Sequence, residues 1–127
     1  MTPGKSAGAA QVLRWSLAAL SSVEVPLLSR WFVGITGGAD TSSHAALGRW
    51  ADLRLGQLDA WLADRPFVAT DDFTVADLLL THVLTAGSTD PALLELHPRL
   101  RAYLARCLDR PAWKRTIAAY EARVEAG

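Results

Sequence analysis

The stretch FTVADLLLTHVL, residues 73–84, constrains the fold more than any other part of this 127-residue chain. Read at the helical period, Val75, Ala76, Leu78, Leu79, Leu80, Val83 and Leu84 surround the axis on nearly every side. A helix that is apolar all round belongs in the middle of a bundle, with other helices covering it. The same stretch carries its own start signal. Thr74-Val75-Ala76-Asp77 has the S/T-x-x-D/E form of a capping box. In that motif the threonine hydroxyl accepts from the backbone N–H three residues on, and the carboxylate accepts from the threonine N–H, satisfying two donors that a helix start leaves unpaired. Phe73 before the cap and Leu78 at the fourth helical position have the spacing of a hydrophobic staple. Phe73, Thr74, Asp77 and Leu78 are therefore expected to be structural, and Asp77→Ala is expected to cost about 0.5–2 kcal/mol, as for a lost cap.

The remaining sequence supplies the covering helices. Nothing alternates apolar and polar long enough to make a strand, whereas the helical period recurs. The first segment runs from about Gln11 to Phe32 and has more apolar residues than one face can hide. Pro26 lacks the N–H that would bond to Ser22, so a kink or break is expected there. GITGGADTSS, residues 34–43, reads as a loop. Ser42 or Ser43 is expected to cap a long helix to about Asp64, with Leu47, Trp50, Ala51, Leu55, Leu58, Trp61 and Leu62 in one stripe. Arg54 projects into that stripe. It is either a snorkelling or carboxylate-paired side chain, or a charge set aside for a partner subunit or a ligand. After the central helix, Asp90-Pro91 opens a short helical turn, and His97-Pro98 opens a helix with Leu100, Tyr103, Leu104, Cys107 and Leu108 on one face. Pro111 opens the last helix, where Trp113, Ile117, Tyr120 and Val124 share a face. The fold expected is an all-α bundle of about five main helices plus a short one, over residues 11–127, with residues 1–10 a flexible lead-in or linker remnant.

Charge and composition narrow the partners. Thirteen basic residues balance thirteen acidic ones, which gives no electrostatic reason to expect nucleic acid or an anionic membrane. Arg99, Arg101, Arg106, Arg110, Lys114 and Arg115 read as a solvated face. No segment reaches the roughly 20 apolar residues that span a bilayer, and the start lacks the apolar core of a signal peptide. A single cysteine, Cys107, allows no intramolecular disulfide and fits a reducing cytoplasm.

His44, His82, His97 and Cys107 show no metal-ligand spacing, so no metal site is expected. His82 reads as a hydrogen-bonded core residue, His97 as part of a turn or cap, and Cys107 as an inert buried thiol. There is no glycine-rich phosphate loop and no nucleophile elbow, and no catalytic residue emerges. Of the five tryptophans, Trp50, Trp61 and Trp113 follow helical faces and are expected in the core. Trp15 and Trp31 lie on the over-apolar first segment, which must bury itself on two sides or expose a surface for something outside these residues.

The order of motifs resembles the C-terminal half of a cytosolic glutathione transferase. FVATDDFTVADLLLTHVL is followed by HPRLRAYLARCLDRPAWKRTIAAY. The family's capping signature is matched by Phe73, Thr74 and Asp77. Its later P-x-L-x-x-[WY]-x-x-R…RPA pattern is matched by Pro98, Leu100, Tyr103, Arg106 and Arg110-Pro111-Ala112. VLRWSLAALSSVEVPLL is similar to the first helix of that half, and the resemblance covers roughly residues 10–122. It implies a helical domain lining a hydrophobic electrophile pocket, with Trp15, Ala18, Ala19, Ser22 and Glu24 as candidate positions, and sharing in a dimer interface. It also implies that glutathione is a co-substrate only if a thioredoxin-like domain is supplied, since no βαβ pattern occurs in this sequence. Alternatives are a non-catalytic protein–protein interaction module of the same fold, or a free-standing helical binder of an apolar ligand.

Overall fold

The computed structural model describes the backbone of residues 3–127 and the side chains of residues 7–127. The order of elements is α1 (Pro3–Ala18), α2 (Glu24–Val33), α3 (Ser42–Trp61), α4 (Val75–Thr85), the short α5 (Pro91–Leu94), α6 (Pro98–Leu108) and α7 (Pro111–Ala126). No strand occurs among the described residues. The all-α bundle read from the sequence is the fold.

Four boundaries differ from the sequence reading. Helix α1 begins at Pro3, so residues 3–10 are helical where a flexible lead-in was expected; residues 1 and 2 lie outside the described residues. Proline suits a first helical turn, and Ala7, Ala9 and Ala10 favour continuing it. The disturbance expected at Pro26 is not a break. A widened, π-helical turn, Ala19–Val23, joins α1 to α2, and the Glu24 N–H reaches back five residues to the Ala19 carbonyl. One extra residue in that turn accommodates the missing proline donor without interrupting the rod.

Beyond α2, a second wide turn, Gly34–Gly38, carries the chain further than the expected loop start. Within it the helical backbone is interrupted at Gly37, whose φ of 92° suits glycine. Lastly, α3 is capped by Thr41 and not by Ser42 or Ser43: the Thr41 hydroxyl accepts from the His44 N–H at 3.2 Å.

The rod from Ala7 to Gly38, 32 residues, is long and apolar enough to cross a membrane by length and composition. This corrects the expectation that no segment of the chain is. Leu13, Leu17, Leu28 and Phe32 along it are exposed.

The core lies where α2 and α3, α1 and α4, and α6 against α3 and α4 meet. Leu55, Ala76, Leu80, Val83, Leu100, Tyr103 and Val68 are essentially inaccessible there, alongside Val23 and Leu27 of the first rod. Burying each large apolar side chain contributes about 1.5–3 kcal/mol before ordering costs.

α4 is central but not covered all round. Ala76, Asp77, Leu80, Thr81, Val83 and Leu84 are buried, while Val75, Leu78 and His82 are exposed. His82 is thus not the core histidine expected. It faces an apolar groove of about 810 Å³ between α4 and α7, lined by Phe73, Leu79, Trp113 and Ile117. Trp113 is half-buried there, and Trp50, also expected in the core, is 38% exposed on α3. In both cases the helical stripe is wider than the neighbouring helix that covers it.

Candidate functional site

Two arrangements are candidates for function: the carboxylate at the head of α4, and a cleft between α1 and α3. The first is closed. Asp77 is wholly buried, and its two oxygens are spoken for. Oδ2 accepts from the Thr74 N–H at 2.9 Å, and Oδ1 accepts from the Val68 N–H at 2.9 Å and from the Tyr103 hydroxyl at 2.6 Å. The forward half of the capping box is the weaker one. The Thr74 hydroxyl sits in the capping position, but the Asp77 N–H is directed at the Thr74 carbonyl, 3.0 Å away.

Burial, and then the bond to Asp77, push the Tyr103 phenol far above its ordinary pKa, so it is a permanent donor. A carboxylate enclosed by three donors and without solvent access is not placed to meet a substrate. Its role is to tie the loop before α4, the head of α4 and the middle of α6 together. Phe73 packs edge-on against Phe67 at 5.7 Å and lies under the Arg110 guanidinium at 3.4 Å, while Leu78 remains 44% exposed.

Other polar groups seen in the sequence are also structural. The His97 ring Nε2 meets Asp52 of α3 at 2.9 Å, which pins the head of α6 to α3. Asp59 accepts from the Leu100 N–H at 2.9 Å, satisfying a first-turn donor of α6 from the neighbouring helix. The Cys107 thiol is buried, and that burial raises its pKa. Among the described residues no group of three or more His, Cys, Asp or Glu could hold a metal ion.

The cleft between α1 and α3 is open and chemically mixed. Its volume is about 460 Å³. Trp15 and Trp61 form one wall, their rings 5.1 Å apart and tilted by 35°. The Trp61 indole N–H donates to the Val68 carbonyl at 2.8 Å, which fixes that ring. Leu58, Val23 and Ala18 complete the apolar surface, and Arg14, Arg54, Gln57, Ser21 and Ser22 supply the polar groups.

Of the five positions singled out in the sequence, Trp15, Ala18 and Ser22 line this cleft. Ala19 does not: it is 1% exposed, packed in the core where the wide turn meets α4. Glu24 does not either, since it follows the turn whose extra residue shifts the helical register. Arg54 was visible as a charge in an apolar stripe. Gln57 and Trp61 follow it at i+3 and i+7, a spacing that places all three along one edge of α3.

Arg54 makes no ion pair among the described residues. It donates from Nη1 to the Gln57 side-chain oxygen at 3.0 Å, while its Nε is buried without a partner. This excludes the carboxylate-paired reading of Arg54.

A family model described as glutathione S-transferase, C-terminal domain, matches residues 46–111, 66 of the 127 residues. The match runs from the first turns of α3 to the first residue of α7, and so includes the α3 wall of the cleft, the Asp77 cluster and α6. No curated protein matches the chain.

Proposed function

Because the chain belongs to the glutathione S-transferase C-terminal domain family, we propose that it is the helical half of a glutathione-dependent transferase, lining the site of an apolar electrophile. The thiol chemistry then needs a thioredoxin-like domain, which the described all-helical residues do not contain. The observation that carries the reading is the cleft itself. Three of the positions implied by the family resemblance, Trp15, Ala18 and Ser22, come together there with the Trp61 and Leu58 side chains of α3. A concave surface with apolar walls and a few convergent polar groups is the usual form of a small-molecule site.

The exposed apolar rod supports the second part of the reading. Leu13, Leu17, Leu20, Leu28, Trp31 and Phe32 are 39–63% exposed, and exposed apolar side chains gathered on one rod are the mark of an interaction surface. In this reading the rod packs against the thioredoxin-like domain or a second copy of the chain, and no membrane is involved. The single cysteine of the sequence fits a cytoplasmic setting.

The test is a conjugation assay with glutathione and 1-chloro-2,4-dinitrobenzene. The pure chain should show no rate above buffer and no retention on immobilised glutathione. Adding a thioredoxin-like glutathione-binding domain in fusion should restore turnover. Turnover by the chain alone would overturn the reading.

A second reading has one observation in its favour. The α4–α7 groove is larger and more apolar than the cleft and carries none of the expected site residues except Phe73 and Leu78. A non-catalytic docking module would use that groove, and partner capture abolished by Ile117→Glu but not by Trp15→Ala would favour it.

A further inference from the structure

The polar groups of the α1–α3 cleft are unbalanced in one direction. Its lining holds two guanidinium groups, from Arg14 and Arg54, and no carboxylate. Two of its donors are buried and unpaired among the described residues: Arg54 Nε and the Trp15 indole Nε1. Gln11 lies one helical turn before Trp15 and its side-chain oxygen is unpaired too, yet it does not take up the indole N–H. Buried donors without partners are rare because each forfeits its hydration, and both of these belong to side chains that line the cleft.

The geometry of Arg54 narrows the acceptor it can take. Gln57 occupies Nη1, which leaves the edge formed by Nε and Nη2, two parallel N–H groups. That edge matches the two oxygens of a carboxylate. Beside it, the Trp15 and Trp61 rings with Leu58 and Ala18 offer a flat apolar surface.

We propose that this cleft binds small carboxylates carrying a flat apolar body, the carboxylate taken by the free edge of Arg54 with the Trp15 N–H as a further donor. This rests on the reading of the cleft as the electrophile site and adds the substrate class: an apolar electrophile bearing a carboxylate. It also assigns Arg54, which makes no ion pair among the described residues, to the ligand.

The test is calorimetric titration of the full chain with 2-naphthoate and with its neutral analogue 2-naphthamide at neutral pH. Naphthoate should bind about tenfold or more tighter than the amide, the usual advantage of a charge-assisted pair. Arg54→Gln should remove that preference, Arg54→Lys should keep part of it, and Trp15→Phe should reduce it while keeping the ring. Equal binding of the two ligands would overturn the carboxylate assignment while leaving an apolar cleft in place. Binding of neither would overturn the cleft as a ligand site altogether. A preference that survives in a folded Arg54→Gln variant would overturn the assignment to Arg54. The comparison on the unmodified chain needs no variant to fold.

Discussion

Replacing Asp77 with alanine removes the acceptor for three donors at once. The N–H groups of Thr74 and Val68 and the Tyr103 hydroxyl all end on its two oxygens at 2.6–2.9 Å, at a site with no solvent access. Each buried donor left unpaired costs about 1–3 kcal/mol. Thr74 lies at the edge of the site and can recover water, so the three do not add in full. The loss expected is about 3–5 kcal/mol, in the range for breaking a buried charged cluster. That exceeds the 0.5–2 kcal/mol of a lost cap, because a cap involves one helix and this carboxylate joins three segments. Against a domain stability of about 5–15 kcal/mol the change is severe.

Urea denaturation followed by circular dichroism measures it, as a fall in midpoint with the slope unchanged. Tyr103→Phe should cost about 1.5–3 kcal/mol by itself, the value of a hydrogen bond to a charged group. The double variant should lose less than the sum of the two, since both remove the same bond. A loss below about 2 kcal/mol for Asp77→Ala, or strict additivity with Tyr103→Phe, would refute the account of Asp77 as a shared acceptor.

Three further outcomes are expected. Cys107 should resist a thiol reagent in the folded chain and react at the rate of unfolding, because burial raises its pKa. Its raised pKa also sets a sign: as pH rises past the ordinary thiol value the unfolded chain ionises first, so stability falls, and Cys107→Ala should flatten that fall. At the exposed Asp109, the Lys114 hydrogen bond at 2.8 Å lowers the carboxyl pKa. An NMR titration should show it below the usual aspartate range and Lys114→Met should return it, with the interaction present at neutral pH and lost as pH falls through the lowered value. The mass of the chain in solution should rise with concentration, and Leu17→Glu should suppress the rise, since Leu17 is 59% exposed on the apolar rod; a strict monomer at high concentration would count against self-association.

What was legible in the sequence was local or periodic. The T-x-x-D start of α4 is read from four adjacent residues, and the helical stripes from their spacing. The partners of Asp77 were not legible, because Tyr103 lies 26 residues away and periodicity does not say which helix meets which. Exposure failed for a related reason. Trp50, His82 and Leu78 extend stripes that look like core, and a stripe does not reveal how far its neighbour covers it. Pro26 announced a disturbance, but whether the chain breaks or widens depends on the packing of Ala19–Val23 against α4. At the cleft, Trp15, Ala18 and Ser22 followed from the family resemblance. The unpaired Nε of Arg54 depends on every side chain around it and needed the folded chain.

Where an apolar electrophile binds is the decisive property of this domain. A two-dimensional ¹H–¹⁵N spectrum gives one indole signal for each of the five tryptophans, and they are distributed so as to discriminate. Trp15 and Trp61 line the cleft, Trp113 lines the α4–α7 groove, and Trp31 and Trp50 line neither. Titration with 1-chloro-2,4-dinitrobenzene should move the Trp15 and Trp61 signals together to saturation and leave the other three in place. Movement of Trp113 with Trp15 and Trp61 unchanged would contradict the account, as would a spectrum that does not change.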